Sequence, residues 1–168
     1  FFENERITAK NQDGRIFVKR AGIKKQKYDW IILDAFNGDY IPEHLLTKEF
    51  LEEVKLLLSD DGVLSANTFS VSELYAHESA TYKAVYGDFF NVRNGRNTNR
   101  IILAINRPLP DGQTMMRRAK ALQPLLKPFG VNMVELASNM YSTAEDQDWS
   151  DDTRVLTDQF SPANLLNQ

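Results

Sequence analysis

The sequence contains no cysteine and only two histidines among its 168 residues. The absence of cysteine excludes disulfide scaffolds, zinc–thiolate sites and cysteine nucleophiles. The two histidines, His44 and His77, lie far apart in the sequence and lack the H-x-x-H spacing of a metal site. We therefore expect that the chain binds no metal.

The chain also lacks a net positive charge and any long apolar run. It has 20 Lys and Arg against 23 Asp and Glu, a formal net charge of −3, so no positive field favours nucleic-acid binding. The longest apolar runs, within residues 30–33 and 101–105, are strand-sized, whereas a membrane helix needs about 20 apolar residues. No signal peptide is recognisable. These features predict a cytoplasmic protein without a nucleic-acid partner or a membrane contact.

The composition is typical of a soluble globular domain, with 42% hydrophobic and 26% charged residues. The length suits one domain, so we expect residues 1–168 to form a single unit. Residues 128–168 are predicted to be a helical or irregular carboxyl-terminal extension. Because the chain begins with Phe1 and not with methionine, we expect it to be a piece of a longer protein.

The pattern of apolar residues predicts alternating strands and helices. The predicted strands cover residues 6–12, 28–33, 63–69, 89–93 and 99–106, and the predicted helices cover residues 48–58, 73–86 and 115–126. Thr47 and Ser72 are the expected helix caps. Residues 15–21 suit a short helix or a strand, and their propensity favours a strand. Asn94-Gly95 predicts a hairpin, so the order indicates an α/β fold with a mostly parallel sheet and a terminal antiparallel hairpin.

Two acidic residues follow the buried strand predicted over residues 28–33. Asp34 ends the apolar run, and Asp39 lies in an Asn37-Gly38-Asp39 turn. Ligand crevices lie at the carboxyl ends of parallel strands. A carboxylate there can orient an amine, take its proton and stabilise the resulting cation. For Asp39, ordinary solvated turn chemistry is an open alternative.

Several motifs in this order resemble the spermidine synthase family. They are Gln12-Asp13-Gly14-Arg15-x-Phe17, Tyr28-Asp29-x-Ile31-Ile32-Leu33-Asp34, Leu46-Thr47-x-Glu49-Phe50, Gly62-Val63-Leu64-x-x-Asn67 and the closing Leu156-Thr157-Asp158-Gln159-Phe160-Ser161-Pro162-Ala163. The resemblance implies a class I methyltransferase-like (Rossmann-like) fold. It also implies transfer of an aminopropyl group from decarboxylated S-adenosylmethionine to an amine acceptor, without a metal.

The resemblance assigns roles to seven residues. Asp34 matches the catalytic acid that helps to deprotonate the attacking amine. Four residues match donor-binding positions around the adenine: Asp13, Gly14, Pro42 and Leu45. Asp13, which would accept a hydrogen bond from the adenine amino group, also suits a helix cap. Asn37 and Asp39 are the candidate contacts of the acceptor.

Two departures from the family pattern leave other functions open. Asn37-Gly38 stands where the polyamine enzymes carry the Asp-Pro of an Asp-x-x-Asp-Pro pattern. Residues 93–100 form a basic segment, which suits a solvated hairpin tip but would repel a polycation. The alternatives are an S-adenosylmethionine-dependent methyltransferase and a non-catalytic, truncated module with a role in assembly.

The Gly-x-Gly-x-x-Gly loop of the family, which should follow a first strand, is absent from the chain. The resemblance therefore implies an amino-terminally truncated domain with an incomplete active site, inactive alone and without measurable nucleoside binding. In the family's sheet, two missing strands would separate the strand matched by residues 6–12 from the one matched by 28–33. We expect residues 6–12 or 15–19 to pair with the exposed edge of 28–33, or a second copy to pair there as a homodimer.

Overall fold

The computed structural model describes residues 4–34, 42–70, 72–93 and 99–166. In these ranges one five-stranded sheet has the order β1-β2-β4-β3-β5. Its strands are β1 (Tyr28–Leu33), β2 (Leu58–Phe69), β3 (Phe90–Arg93), β4 (Asn99–Ile105) and β5 (Met140–Ser142). The helices are α1 (Gly14–Ile23), α2 (Lys48–Lys55), α3 (Leu74–Tyr86), α4 (Gly112–Leu126), α5 (Met133–Ser138) and α6 (Ala163–Leu166). None of these helices is long and apolar enough to cross a membrane.

The strand pairing confirms the α/β fold class and the terminal hairpin. β1 pairs in parallel with β2, while the β2–β4, β4–β3 and β3–β5 pairs are antiparallel. The described sheet is therefore mixed, with fewer parallel pairs than the sequence predicts, because one predicted strand is absent and an unpredicted one, β5, joins by antiparallel pairing. The segments 28–33, 63–69 and 101–105 lie in neighbouring strands, β1, β2 and β4. The strand predicted to be buried, β1, is instead the edge strand of the described sheet, and Trp30 and Ile32 are largely exposed because no described strand covers its free edge there.

The segment before β1 differs most from the prediction. Residues 6–12 form no strand, and Asn4 and Ile7 make only an isolated bridge. Residues 15–21 belong to α1, which Asp13 caps by accepting a hydrogen bond from the Ile16 N–H at 3.0 Å. The cap and the burial of Val18 against the core outweigh the strand propensity of this apolar stretch. The prediction that either segment pairs with β1 is therefore wrong, while pairing with a second copy stays a prediction.

Three helix boundaries also differ from the prediction. The helix predicted to begin at residue 115 begins at Gly112, because Asp111 caps it by accepting a hydrogen bond from the Thr114 N–H. The helix capped by Thr47 ends at Lys55, and β2 already begins at Leu58. Gly62 therefore lies inside β2. A Cβ at Gly62 would lie 3.0 Å from the Tyr28 carbonyl oxygen, so the close approach of β1 favours glycine. Ser72 does not cap α3, which starts at Leu74 without a side-chain cap.

Helices α1, α2 and α3 contribute the residues that bury one face of the sheet. This face carries Leu64 and Ala66 of β2 and Ile102 of β4, all at most 1% exposed. On the opposite face, Trp30 and Ile32 of β1 are 64% and 61% exposed. Alternation along each strand thus separates a buried face from a partly open one.

Replacing Ile102 with alanine should lower the free energy of unfolding by about 3 kcal/mol, because the side chain is fully buried and its loss leaves a cavity. Its neighbour Ile101 points to the other face and is 36% exposed. Ile101→Ala is the matched control and should cost about 1 kcal/mol or less. Urea unfolding measures both values. Equal losses would contradict the assignment of the two faces.

Candidate active site

Asp34 directly follows β1 at the carboxyl end of the strand, and its side chain is exposed. The Asn67 Nδ2 group of β2 donates a hydrogen bond to Asp34 Oδ1 at 2.9 Å. Asn99 Nδ2, at the start of β4, donates in turn to Asn67 Oδ1 at 3.1 Å. Two amides from neighbouring strands therefore orient an exposed carboxylate through one of its oxygens.

A largely apolar cavity of about 450 Å³ lies beside Asp34, between β1 and helices α1 and α2. Gly14 and Leu45 line the same cavity as Asp34. The structure thus brings together three of the seven residues to which the resemblance assigns roles. The other lining residues include the aromatic side chains of Phe17, Tyr28, Trp30, Phe50 and Tyr82.

Asp13 lies at the start of α1, next to Gly14. Its Oδ2 atom is 2.8 Å from Nε2 of His44, which belongs to a short 3₁₀ turn, Glu43–Leu45. The hydrogen bond from the Ile16 N–H, followed by the contact with His44, lowers the pKa of Asp13. Asp13 is therefore an ionised hydrogen-bond acceptor at neutral pH. Pro42 directly precedes the turn.

His44 and Arg15 are two residues near the site whose contacts sequence reasoning missed. The sequence indicates His44 only as a poor metal ligand, although its place beside Leu45 is a signal for a position near the site. Arg15 stands next to Gly14, and its guanidinium pairs with Glu53 of α2 and with Asp158 near the carboxyl terminus. Nothing in the sequence indicates the pairing with Asp158, since 143 positions separate the two residues.

The two candidate acceptor residues, Asn37 and Asp39, lie in residues 35–41, outside the described part of the chain. Residues 94–98 of the basic segment also lie outside it. Arg93 Nη2 forms an ion pair with Asp148 Oδ2 at 2.7 Å. Arg100 is only 1% exposed, so its interpretation as part of a solvated tip is wrong. The β4 alternation places Arg100 on the helix-covered face.

The Arg100 guanidinium and the Glu78 carboxyl group are buried side by side beneath the site, with 3.9 Å between Nη2 and Oε2. The guanidinium also donates to Thr68 Oγ1 at 2.8 Å and to Ser79 Oγ at 2.7 Å. Burial raises the pKa of Glu78 to about 8, although the Arg100 charge opposes this shift. The cluster joins β2, β4 and α3 behind the strand ends that carry Asn67 and Asn99.

The chain matches the spermine/spermidine synthase domain over residues 1–94. It is 54% identical over 155 residues to a polyamine aminopropyltransferase of Vibrio vulnificus, an alignment that covers 92% of this chain and 51% of that protein. A probable spermidine synthase from Corynebacterium glutamicum has a solved structure with a TM-score of 0.61 and 20% identity, over 88% of this chain and 52% of that one.

Human methyltransferase-like protein 13, solved in complex with SAH, superposes with a TM-score of 0.59 and 23% identity, over 95% of this chain and 69% of that one. At these identities the two structures show a shared methyltransferase-like fold. The chain spans about half the length of the Vibrio vulnificus relative and of the Corynebacterium glutamicum structure.

Proposed function

Because the chain belongs to the spermine/spermidine synthase family, we propose that it supplies part of the active site of an aminopropyltransferase. The observation that carries this proposal is the position of Asp34. Its carboxylate follows β1, is oriented by Asn67, and borders the cavity that Gly14 and Leu45 also line. The proposed donor is decarboxylated S-adenosylmethionine, and the proposed acceptor is an amine.

The proposed reaction is a nucleophilic displacement at the sulfonium centre. The lone pair of a neutral amine attacks the aminopropyl carbon next to sulfur, forming the C–N bond. The C–S bond breaks with its electrons on sulfur, and methylthioadenosine leaves. The new secondary ammonium ion passes its extra proton to the Asp34 carboxylate, which also stabilises the developing positive charge on nitrogen.

The donor's adenine is proposed to bind at the start of α1. Ionised Asp13 would accept a hydrogen bond from the adenine amino group, since its lowered pKa keeps it an acceptor. Leu45 and Pro42 would pack against the adenine ring. Gly14 lies opposite Leu45 at this place, since a Cβ on Gly14 would make ordinary van der Waals contact, at 3.8 Å, with both Leu45 methyl groups.

The acceptor's contacts rest on the resemblance alone. Asn37 and Asp39 are proposed to lie along the amine, with Asp39 supplying a negative charge for its far end. An asparagine at position 37 contributes no charge, so the site would hold a second ammonium group less strongly than a site with two carboxylates.

The proposal is tested by joining this chain to the part of the Vibrio vulnificus relative that it does not match and measuring methylthioadenosine release. With decarboxylated S-adenosylmethionine and a short diamine, release should depend on both substrates. Asp152→Asn, in an exposed stretch far along the chain, should leave the rate unchanged. Absence of release from a folded protein would contradict the proposed function.

A methyltransferase is the second candidate, favoured by the departure at Asn37 and Gly38 from the polyamine enzymes' pattern. It requires S-adenosylmethionine itself as the donor. Offering the two donors separately to the same protein distinguishes the candidates, because the preferred donor gives the higher kcat/KM.

A further inference from the structure

Residues 156–166 form a segment, here called the strap, that lies across the helices near the site. The Lys48 N–H at the start of α2 donates to the Leu156 carbonyl at 2.8 Å. The Leu156 N–H donates to Thr81 Oγ1 of α3 at 2.9 Å, and the Leu156 side chain is fully buried. The proposed reaction gives this segment no role.

Asp158 of the strap accepts three strong hydrogen bonds. Arg15 donates to its two oxygens at 2.6 and 2.8 Å, a two-pronged contact that fixes orientation. Thr47 Oγ1 donates to Asp158 Oδ1 at 2.7 Å while capping α2 through the Phe50 N–H. The bonds from Arg15 hold the pKa of Asp158 below its usual value, so the carboxylate is ionised at neutral pH.

The guanidinium of Arg15 has no donor left for a ligand. Besides Asp158, it donates from Nε and Nη2 to the two Glu53 oxygens at 3.2 and 3.1 Å, and from Nη1 to the His44 carbonyl at 3.4 Å. These five contacts use all five N–H groups of an arginine. Arg15 therefore holds α1, α2 and the His44 turn in one arrangement without touching substrate.

The strap also contacts the turn Glu43–Leu45, which lies on the other side of the proposed adenine site from Asp13. Ser161 Oγ donates to the Glu43 carbonyl at 3.0 Å, and Asn164 Nδ2 donates to Glu43 Oε1 at 3.0 Å. Glu43 begins the turn that carries His44 and Leu45. The same short segment thus contacts both sides of the site, since Asp13 precedes Arg15 by two positions.

We propose that Asp158 is a positioning residue: through Arg15 it sets the placement of Asp13 relative to His44, and thereby the adenine site of the donor. This inference rests on the proposed function for the identity of the ligand. A strap that served only to anchor the end of the chain would loosen all of its contacts together when Asp158 changes. A positioning role predicts a local effect at Asp13 and His44.

The test compares Asp158→Asn with Asp152→Asn in the 168-residue chain, by nuclear magnetic resonance. The two histidines give separate imidazole signals, because His44 contacts Asp13 whereas His77 Nδ1 lies 2.6 Å from the Arg154 carbonyl, just before the strap. In Asp158→Asn we expect the His44 signals to shift and those of His77 to stay. The Ile16 amide, capped by Asp13, should exchange about tenfold faster, and Asp152→Asn should match the wild type.

Two results would overturn the proposal. One is wild-type behaviour of His44 and Ile16 in Asp158→Asn. The other is a joint change of His44, His77 and the core amide of Leu64, which indicates release of the strap or general loosening. The experiment needs no nucleoside, so its outcome is separable from that of the transfer assay. If the protein shows no transfer but the His44 signal shifts in Asp158→Asn, the proposed function is refuted. The positioning of Asp13 and His44 by Asp158 is then still supported.

Discussion

Replacing Asp34 with asparagine should lower the rate of aminopropyl transfer by about 10²–10⁴-fold, the usual contribution of a general base. Asparagine keeps the size of the side chain but cannot take the proton of the ammonium ion. The donor's affinity should stay within about threefold, because Asp34 is proposed to act on the amine and not on the nucleoside. Methylthioadenosine release measures the rate, and calorimetry of the joined protein measures the affinity.

Asp29→Asn is the matched control for this substitution. Asp29 lies on the same strand, near its amino end, where it accepts a hydrogen bond from Ser59 Oγ at 2.7 Å. Its replacement should leave kcat unchanged. A transfer rate in Asp34→Asn equal to that of Asp29→Asn would remove the catalytic role from Asp34.

Folding stability should fall as the pH rises from about 4.5 to about 8. Buried Glu78 has a pKa of about 8 in the folded chain against 4.5 for the ordinary side chain, so the folded state binds its proton more tightly than the unfolded state. Across this window the shift removes several kcal/mol of unfolding free energy, on the order of 5 kcal/mol in all. Below the window both states are protonated, and above it both are ionised.

Glu78→Gln isolates this effect, because glutamine fills the same space without titrating. Between pH 4.5 and 8 the unfolding free energy of the wild type should fall steadily relative to that of Glu78→Gln. Asp13 and Asp158 titrate below this window, since their pKa values are lowered. Urea unfolding at several pH values measures the difference, and a difference independent of pH would show that Glu78 does not titrate as described.

The apolar pattern predicted the strands β1, β2 and β4 because these short apolar runs have few alternatives to a strand. The runs that became β1 and the second half of β2 form the parallel pair, although β1 lies at the edge of the described sheet, and Asn94-Gly95 correctly indicated the β3–β4 pairing. The secondary structure of residues 15–21 was harder to predict from the sequence. Their β-branched and aromatic content favours a strand, but one hydrogen bond from the Asp13 cap and packing against α2 favour the helix that forms.

The candidate site was likewise predictable from the sequence only in part. Asp34 was placed by the rule that ligands bind beyond the carboxyl ends of parallel strands. The contacts that orient the site were not predictable, because they join distant parts of the chain: Asn67 to Asp34 across 33 positions, and Asp158 to Arg15 across 143. Arg100 was misread for the same reason, since its buried partners Glu78 and Thr68 come from other elements.

The most direct test of the central claim is mass spectrometry of the acceptor after turnover. The joined protein is incubated with a diamine and with both donors, decarboxylated S-adenosylmethionine and S-adenosylmethionine. The proposed function predicts a diamine that gains one aminopropyl group, at a rate that falls with Asp34→Asn. A diamine or other acceptor that gains a methyl group from S-adenosylmethionine, with no aminopropyl product, would contradict it.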